Sequence, residues 1–164
     1  MTRTLILMRH AKSSWDDPHL ADIARPLNRR GQASAAAMGS WLRARGYVPN
    51  AAVSSNSTRT AETFEALGLD CSVTFTKTLY HAGPDAMMTV LRGQEAASVL
   101  MLGHNPGIAE FADRLVTRPP AHPRFADYPT CATCVIRFDA DTWNDIGWHE
   151  GQPMDFAIPR ELMR

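Results

Sequence analysis

Apolar and polar positions along this chain change period several times, and the changes divide it into alternating strands and helices. Thr4–Met8 ends in four consecutive apolar residues, too short for a helix and suited to a strand covered on both faces. Asn28 is placed to cap a helix running to about Arg45, with Ala33, Ala37 and Trp41 on one face and Gly46 ending it. Ala51–Ser55 predicts a second strand, and Ser57 to about Leu67 a second helix with Ala61, Phe64 and Leu67 inward. Val73–Leu79 is β-rich, and Pro84–Leu91 predicts a short helix opened by Pro84-Asp85 and closed before Gly93. Ala97–Leu102 is another continuous apolar strand. Asn105-Pro106 then begins a helix to about Val116, with Asn at the cap and Pro at the first helical position. Arg118–Pro129 holds four prolines and predicts a loop, after which Cys131–Phe138 and Trp148–Ile158 supply late strands.

Strands alternating with helices predict an α/β fold: a three-layer arrangement with a mostly parallel central sheet and helices on both faces. The 164 residues suit a single domain over 1–164, long enough to bury a core without disulfides. Seventeen basic residues balance seventeen acidic ones, which argues against a nucleic-acid partner. No apolar run approaches the length of a membrane span or a signal-peptide core, so no membrane association and a cytoplasmic location are expected. Three cysteines are an odd count and are expected as free thiols. Cys131-Ala-Thr-Cys134 has CxxC spacing but opens an apolar run and lacks a second pair, so neither a metal nor a redox role is expected.

The chemistry gathers where strands end. Arg9 and His10 follow the first strand, Arg59 lies in the first turn after the second, and His104 follows the fourth. In open α/β sheets the ends of parallel strands share one edge, where ligands bind, so residues nearly a hundred positions apart converge there. Helices starting after Asn56 and Asn105 would aim their free N–H groups at the same place. Two arginines, two histidines and two helix N-termini describe a site for a multiply charged oxyanion, with phosphate the first candidate. An Arg-His pair at a buried strand end is costly unless an anion neutralises it.

At these residues the chain resembles a known family. Leu7-Met8-Arg9-His10-Ala11-Lys12-Ser13 is similar to the "RHG" signature of the histidine phosphatase (phosphoglycerate mutase-like) superfamily, with Ala11 where glycine is usual. Ser54 to Thr63 resembles its second motif, and Gly103-His104-Asn105-Pro106 its late histidine motif. More narrowly, RHAKSSW, Arg25-Pro26-Leu27 with Arg30-Gly31, Leu79-Tyr80 and GHNPG resemble SixA-type phosphohistidine phosphatases. The resemblance implies a phosphoglycerate mutase-like fold and a signal-transduction role, with His10 as nucleophile carrying the phosphoryl group transiently. Arg9 and Arg59 would grip the phosphoryl oxygens and His104 would donate to an equatorial oxygen, with no metal or other cofactor. Lys12, Ser13, Arg25 and His81 are candidates for the substrate-binding border.

Neutral imidazole is nucleophilic at pH 7 without an activating base, which agrees with that role for His10. Larger relatives place a glutamate soon after the third strand as general acid; here the stretch reads Leu79-Tyr80-His81-Ala82, with no carboxylate before Asp85. An ester oxygen leaves poorly without a proton, whereas imidazole protonated on its far nitrogen leaves as a neutral base. A histidine-phosphorylated protein is therefore the expected substrate and partner, beside phosphate itself. Two alternatives stay open: a phosphatase for small phosphate esters using His81 or Asp85 as acid, and a phosphate- or phosphoprotein-binding module without turnover. Oligomeric state is not readable from the sequence.

Overall fold

A computed structural model describes residues 1–163. Its elements are β1 (Thr2–Arg9), α1 (Arg29–Ala44), β2 (Ala51–Ser55), α2 (Thr58–Leu67), β3 (Ser72–Thr76), α3 (Pro84–Arg92), β4 (Ser98–Gly103), α4 (Gly107–Leu115), β5 (Thr133–Asp139), β6 (Gln152–Ala157) and α5 (Pro159–Leu162). All six strands join one sheet in the order β3-β2-β4-β1-β5-β6. The ladders among β3, β2, β4 and β1 are parallel, and β5 and β6 add antiparallel pairs. The parallel part brings the ends of β1, β2 and β4 to one edge, with Arg9 opposite Gly103 and Ser54 opposite Leu102.

Side-chain alternation along β1 makes it the spine of two cores. Leu5 and Leu7 face a cluster with Val99, Met101, Met87 and Phe111, under α3 and α4. Ile6 and Met8 face the other, with Leu100, Leu102, Met38 and Leu67, under α1 and α2. All four β1 residues are fully buried, each worth about 1.5–3 kcal/mol of transfer free energy. The expected three layers are therefore present.

Four local expectations need correction. The inward face of α1 is Gly31, Ser34, Ala35, Met38, Gly39 and Leu42, whereas Ala33 is exposed and Ala37 and Trp41 are half-buried. Two glycines decide this: a Cβ on Gly39 would stand 1.9 Å from the Leu67 carbonyl oxygen, and one on Gly31 2.1 Å from that of Lys12. In α2 Leu67 is buried as expected, but Ala61 and Phe64 are half-buried and polar Arg59, Thr60 and Thr63 take the interior. Strand β3 stops at Thr76, because Lys77–Leu79 turns into one 3-10 turn closed by Tyr80. Helix α4 begins at Gly107, not Pro106. Asn105 still accepts from the Ala109 N–H at 3.2 Å, and its amide donates to the Asp127 and Tyr128 carbonyls. Among the described residues no helix is long and apolar enough to cross a membrane.

Candidate active site

Backbone pairing fixes His10 before its side chain does anything. Its N–H donates to the Gly103 carbonyl (3.1 Å), and its own carbonyl accepts from Cys131 N–H (2.9 Å), so β1 is held between β4 and the approach to β5. The imidazole Nδ1 lies 2.7 Å from the Ala11 carbonyl. A carbonyl only accepts, so Nδ1 carries the proton and Nε2 keeps its lone pair. Burial, with the charges of Arg9, Arg59 and Arg25, pushes the His10 imidazole down to about 4, against the hydrogen bond to Ala11, which raises it. His10 is thus a neutral base throughout the physiological range. Ala11 fits where relatives keep glycine because its φ is not positive and its methyl joins the core of α1 and α2. Its N–H donates to Thr63 Oγ1, which itself donates to the Arg59 carbonyl, tying the first motif to the second.

Arg59 stands in the first turn of α2, capped by Ser57, whose side chain accepts from Thr60 N–H. The guanidinium is buried. Nη1 donates to the Asp22 carbonyl (2.7 Å), and Nη2 to Asp22 Oδ2 (3.0 Å) and His104 Nδ1 (3.3 Å). Because arginine only donates, His104 Nδ1 is the acceptor and its Nε2–H donates to Ser55 Oγ at 2.8 Å. Burial and the neighbouring His10, Arg59 and His81 push His104 down to about 3, with Asp22 opposing. Both its ring nitrogens are thus engaged within the protein, and a bond to a phosphoryl oxygen requires Nδ1 to take up a proton. The His10 and His104 rings are 5.2 Å apart. Arg9 Nη1 donates to the Tyr128 carbonyl (3.3 Å), while Arg9 Nε is buried with no partner among the described residues. An orphaned guanidinium donor beside a nucleophilic imidazole fits an oxyanion.

These groups line one cavity of about 280 Å³ together with Lys12, Ser13, Trp15, Asp22, Arg25, His81, Asn105 and Thr130. All eight residues expected at the site therefore reach it. Arg25 is buried, donates to Asp22 Oδ1 (3.0 Å) and to Ser13 Oγ, and lies 3.4 Å under the Trp15 ring. His81 Nε2 is 3.1 Å from Asp22 Oδ2. Its segment is pinned to α4 through Gly107, where a Cβ would stand 1.8 Å from the Ala82 carbonyl oxygen. Asp85 is not at the site: its side chain is 91 % exposed, 3.9 Å from Arg114 and outside the cavity lining, which removes it as the alternative acid.

Sequence reasoning missed Asp22, Ser55 and the hydroxyl of Tyr80. Asp22 Oδ2 accepts from Arg59, His81 and the Tyr80 hydroxyl. Burial raises the Asp22 carboxyl, but these hydrogen bonds and the Arg59 charge outweigh it and hold the group well below the usual carboxylate range. The cysteines stand apart from this chemistry. Burial pushes the Cys131 thiol up to about 12 and Cys134 up further, and the two belong to opposite cores.

The model of the histidine phosphatase superfamily, branch 1, matches residues 5–80. An uncharacterized chloroplastic protein of Arabidopsis thaliana is 33% identical over 160 residues, covering 88% of this chain and 71% of its own. Among solved structures, one assigned as the phosphohistidine phosphatase SixA of Nakamurella multipartitia matches with TM-score 0.81 and 27% identity over 97% of both chains. A protein histidine phosphatase SixA complexed with tungstate matches with TM-score 0.78 and 21% identity, over 97% of this chain and 99% of that one. The chain belongs to the histidine phosphatase superfamily, which implies hydrolytic phosphatase chemistry. Within that superfamily its type is SixA.

Proposed function

We propose that the protein is a metal-independent phosphohistidine phosphatase that works through a phosphoryl-His10 intermediate, acts on a histidine-phosphorylated protein and resides in the cytoplasm as a single domain. His10 Nε2 attacks phosphorus as the bond to the leaving group breaks. Water then attacks phospho-His10, the P–Nε2 bond breaks with its electron pair returning to Nε2, and phosphate leaves carrying both of water's protons. Arg9 and Arg59 meet the phosphoryl oxygens, supplying the charge neutralisation that magnesium gives in other phosphoryl-transfer enzymes. His104, taking up at Nδ1 the proton that a phosphoryl monoanion brings in, adds a third donor. The tungstate bound by a SixA of the same fold is an oxyanion of the kind such a cradle suits.

One observation carries the choice of substrate. Asp22 is the sole carboxylate lining the cavity among the described residues, and two arginines and a tyrosine hold it ionised. It has no proton for a departing alkoxide. Imidazole, protonated on its far nitrogen, needs none. The second reading, hydrolysis of small esters, rests on His81, which lines the same cavity and is hydrogen-bonded to that carboxylate.

A hydrolysis panel tests the reading. kcat/KM for a phosphohistidine protein should exceed that for seryl or sugar phosphates by about two orders of magnitude, the usual worth of general acid catalysis. Aryl esters with good leaving groups should also be cleaved, and His81→Ala should leave phosphohistidine turnover within a few-fold. Sugar phosphates as the better substrates, or loss of all activity in His81→Ala, would favour the ester reading. A protein that binds phosphate but turns over nothing would establish the binding-module alternative.

A further inference from the structure

Asp22 does more in this geometry than hold Arg59. It sits on a single 3-10 turn, Asp22–Ala24, in the loop between β1 and α1, and its side chain is 43 % exposed. Three donors converge on Oδ2, but Oδ1 accepts one hydrogen bond, from Arg25 Nη1. A carboxylate oxygen has two acceptor sites, so one site of Oδ1 is free beside the cavity that holds His10. We propose that this free site of Asp22 accepts a hydrogen bond from the distal ring N–H of the substrate's phosphorylated imidazole, making Asp22 the residue that selects phosphohistidine in its ring-protonated form. The inference rests on the phosphohistidine reading above.

The chemistry balances without a proton transfer. As the His10 Nε2–P bond forms and the substrate P–N bond breaks, the electron pair stays on the substrate nitrogen. The distal nitrogen keeps its proton, so the ring departs as neutral imidazole. His10 mirrors this, becoming a phosphorylated imidazolium whose Nδ1–H remains on the Ala11 carbonyl. Phosphoryl thus passes between two rings, each anchored through the nitrogen that is not phosphorylated. Without a partner, an imidazole ring is mostly deprotonated above roughly pH 6.5, and would have to leave as an anion. An ionised carboxylate facing the ring keeps the productive form populated at higher pH. It offers nothing to an ester oxygen.

Asp22→Asn keeps the size and an acceptor for Arg59 but removes the charge. kcat/KM is measured on a phosphohistidine peptide and on 4-nitrophenyl phosphate from pH 6 to 8.5. For the peptide we expect a loss that deepens from under about three-fold at pH 6 to about ten-fold at pH 8, whereas the loss on the aryl ester, which comes from a loosened Arg59, should be the same at every pH. Asp22→Glu, the second variant, should retain the peptide preference. The charged and titratable groups facing Asp22 are Arg25, Arg59, Tyr80 and His81, of which His81 is the one imidazole. The comparison is therefore repeated in a His81→Gln background, where persistence of the pH-dependent ratio assigns it to the substrate ring and disappearance overturns the proposal. Equal losses on both substrates at every pH overturn it too, leaving Asp22 as a positioning residue for Arg59. A wild type that cleaves the aryl ester but no phosphohistidine peptide overturns the functional reading itself, and this proposal with it.

Discussion

The floor of the cavity and its outer wall differ in origin, burial and charge. The floor (Arg9, His10, Arg59 and His104) comes from two strand ends and a helical first turn, and all but half-buried Arg9 are closed to solvent. The wall (Asp22 and His81, with the Tyr80 hydroxyl bracing Asp22) comes from two loops, with Asp22 and His81 exposed and Tyr80 half-buried. Cations exceed anions on the floor, and one guanidinium donor there lacks a partner among the described residues. On the wall the carboxylate is already met by four donors. Phosphoryl transfer needs rigidly placed positive charge, which a sheet edge provides. Choosing a leaving group needs adjustable polar contacts, which loops provide.

The largest effect should come from removing the proposed nucleophile. His10→Ala is expected to abolish turnover on every substrate while the fold persists. Rapid quenching with labelled substrate should trap acid-labile, base-stable phosphate on the wild type; label retained by the variant would move the nucleophile off the floor. Arg59 comes next, since it alone joins floor to wall by bonding both His104 and Asp22. Arg59→Ala should lower kcat/KM by roughly two powers of ten or more, with activity in EDTA unchanged. A loss below ten-fold on aryl and phosphohistidine substrates alike would mean that transition-state charge is handled elsewhere.

The smallest effect is a pH dependence that barely shows. His10 and His104 are lowered in the folded protein to about 4 and about 3, so both are neutral above those values and protonate only below them. Once corrected for the substrate's own phosphate ionisation, kcat/KM on an aryl ester should be within about 10% of its plateau at pH 5 and fall as pH drops through about 4. An acid limb near pH 6.5 would place the essential imidazole in a solvated setting like that of the wall.

The same division explains what could be read from the sequence. Arg9, His10, Arg59 and His104 were legible because each directly follows or closely trails a run that reads as a strand, and parallel strand ends share an edge. Asp22 was not. It follows Asp16 and Asp17 in an aperiodic stretch, and only the tertiary fold brings its carboxylate to Arg59 and Tyr80. The face of α1 was misplaced because Ala33 through Ala37 gives little contrast between faces, so the close backbone approaches at Gly31 and Gly39 set the rotation. Strand β3 was overextended because Thr76 is β-prone, yet its side chain accepts from the Thr78 N–H and starts a turn.

The strand order has a consequence during synthesis. β1 pairs with β4 and β5, neither of which exists until about ninety residues after Arg9 have been added. At about 5–20 residues per second, the Leu5-Ile6-Leu7-Met8 segment waits on the order of ten seconds without either neighbour. β2 and β3, by contrast, are neighbours in the sheet and lie close together in the sequence. The strand that forms the spine of both cores is therefore the one that waits longest for a neighbour. Its apolar run stays uncovered for that interval, and His10 cannot be set in place before Gly103 at the end of β4 arrives to accept its N–H.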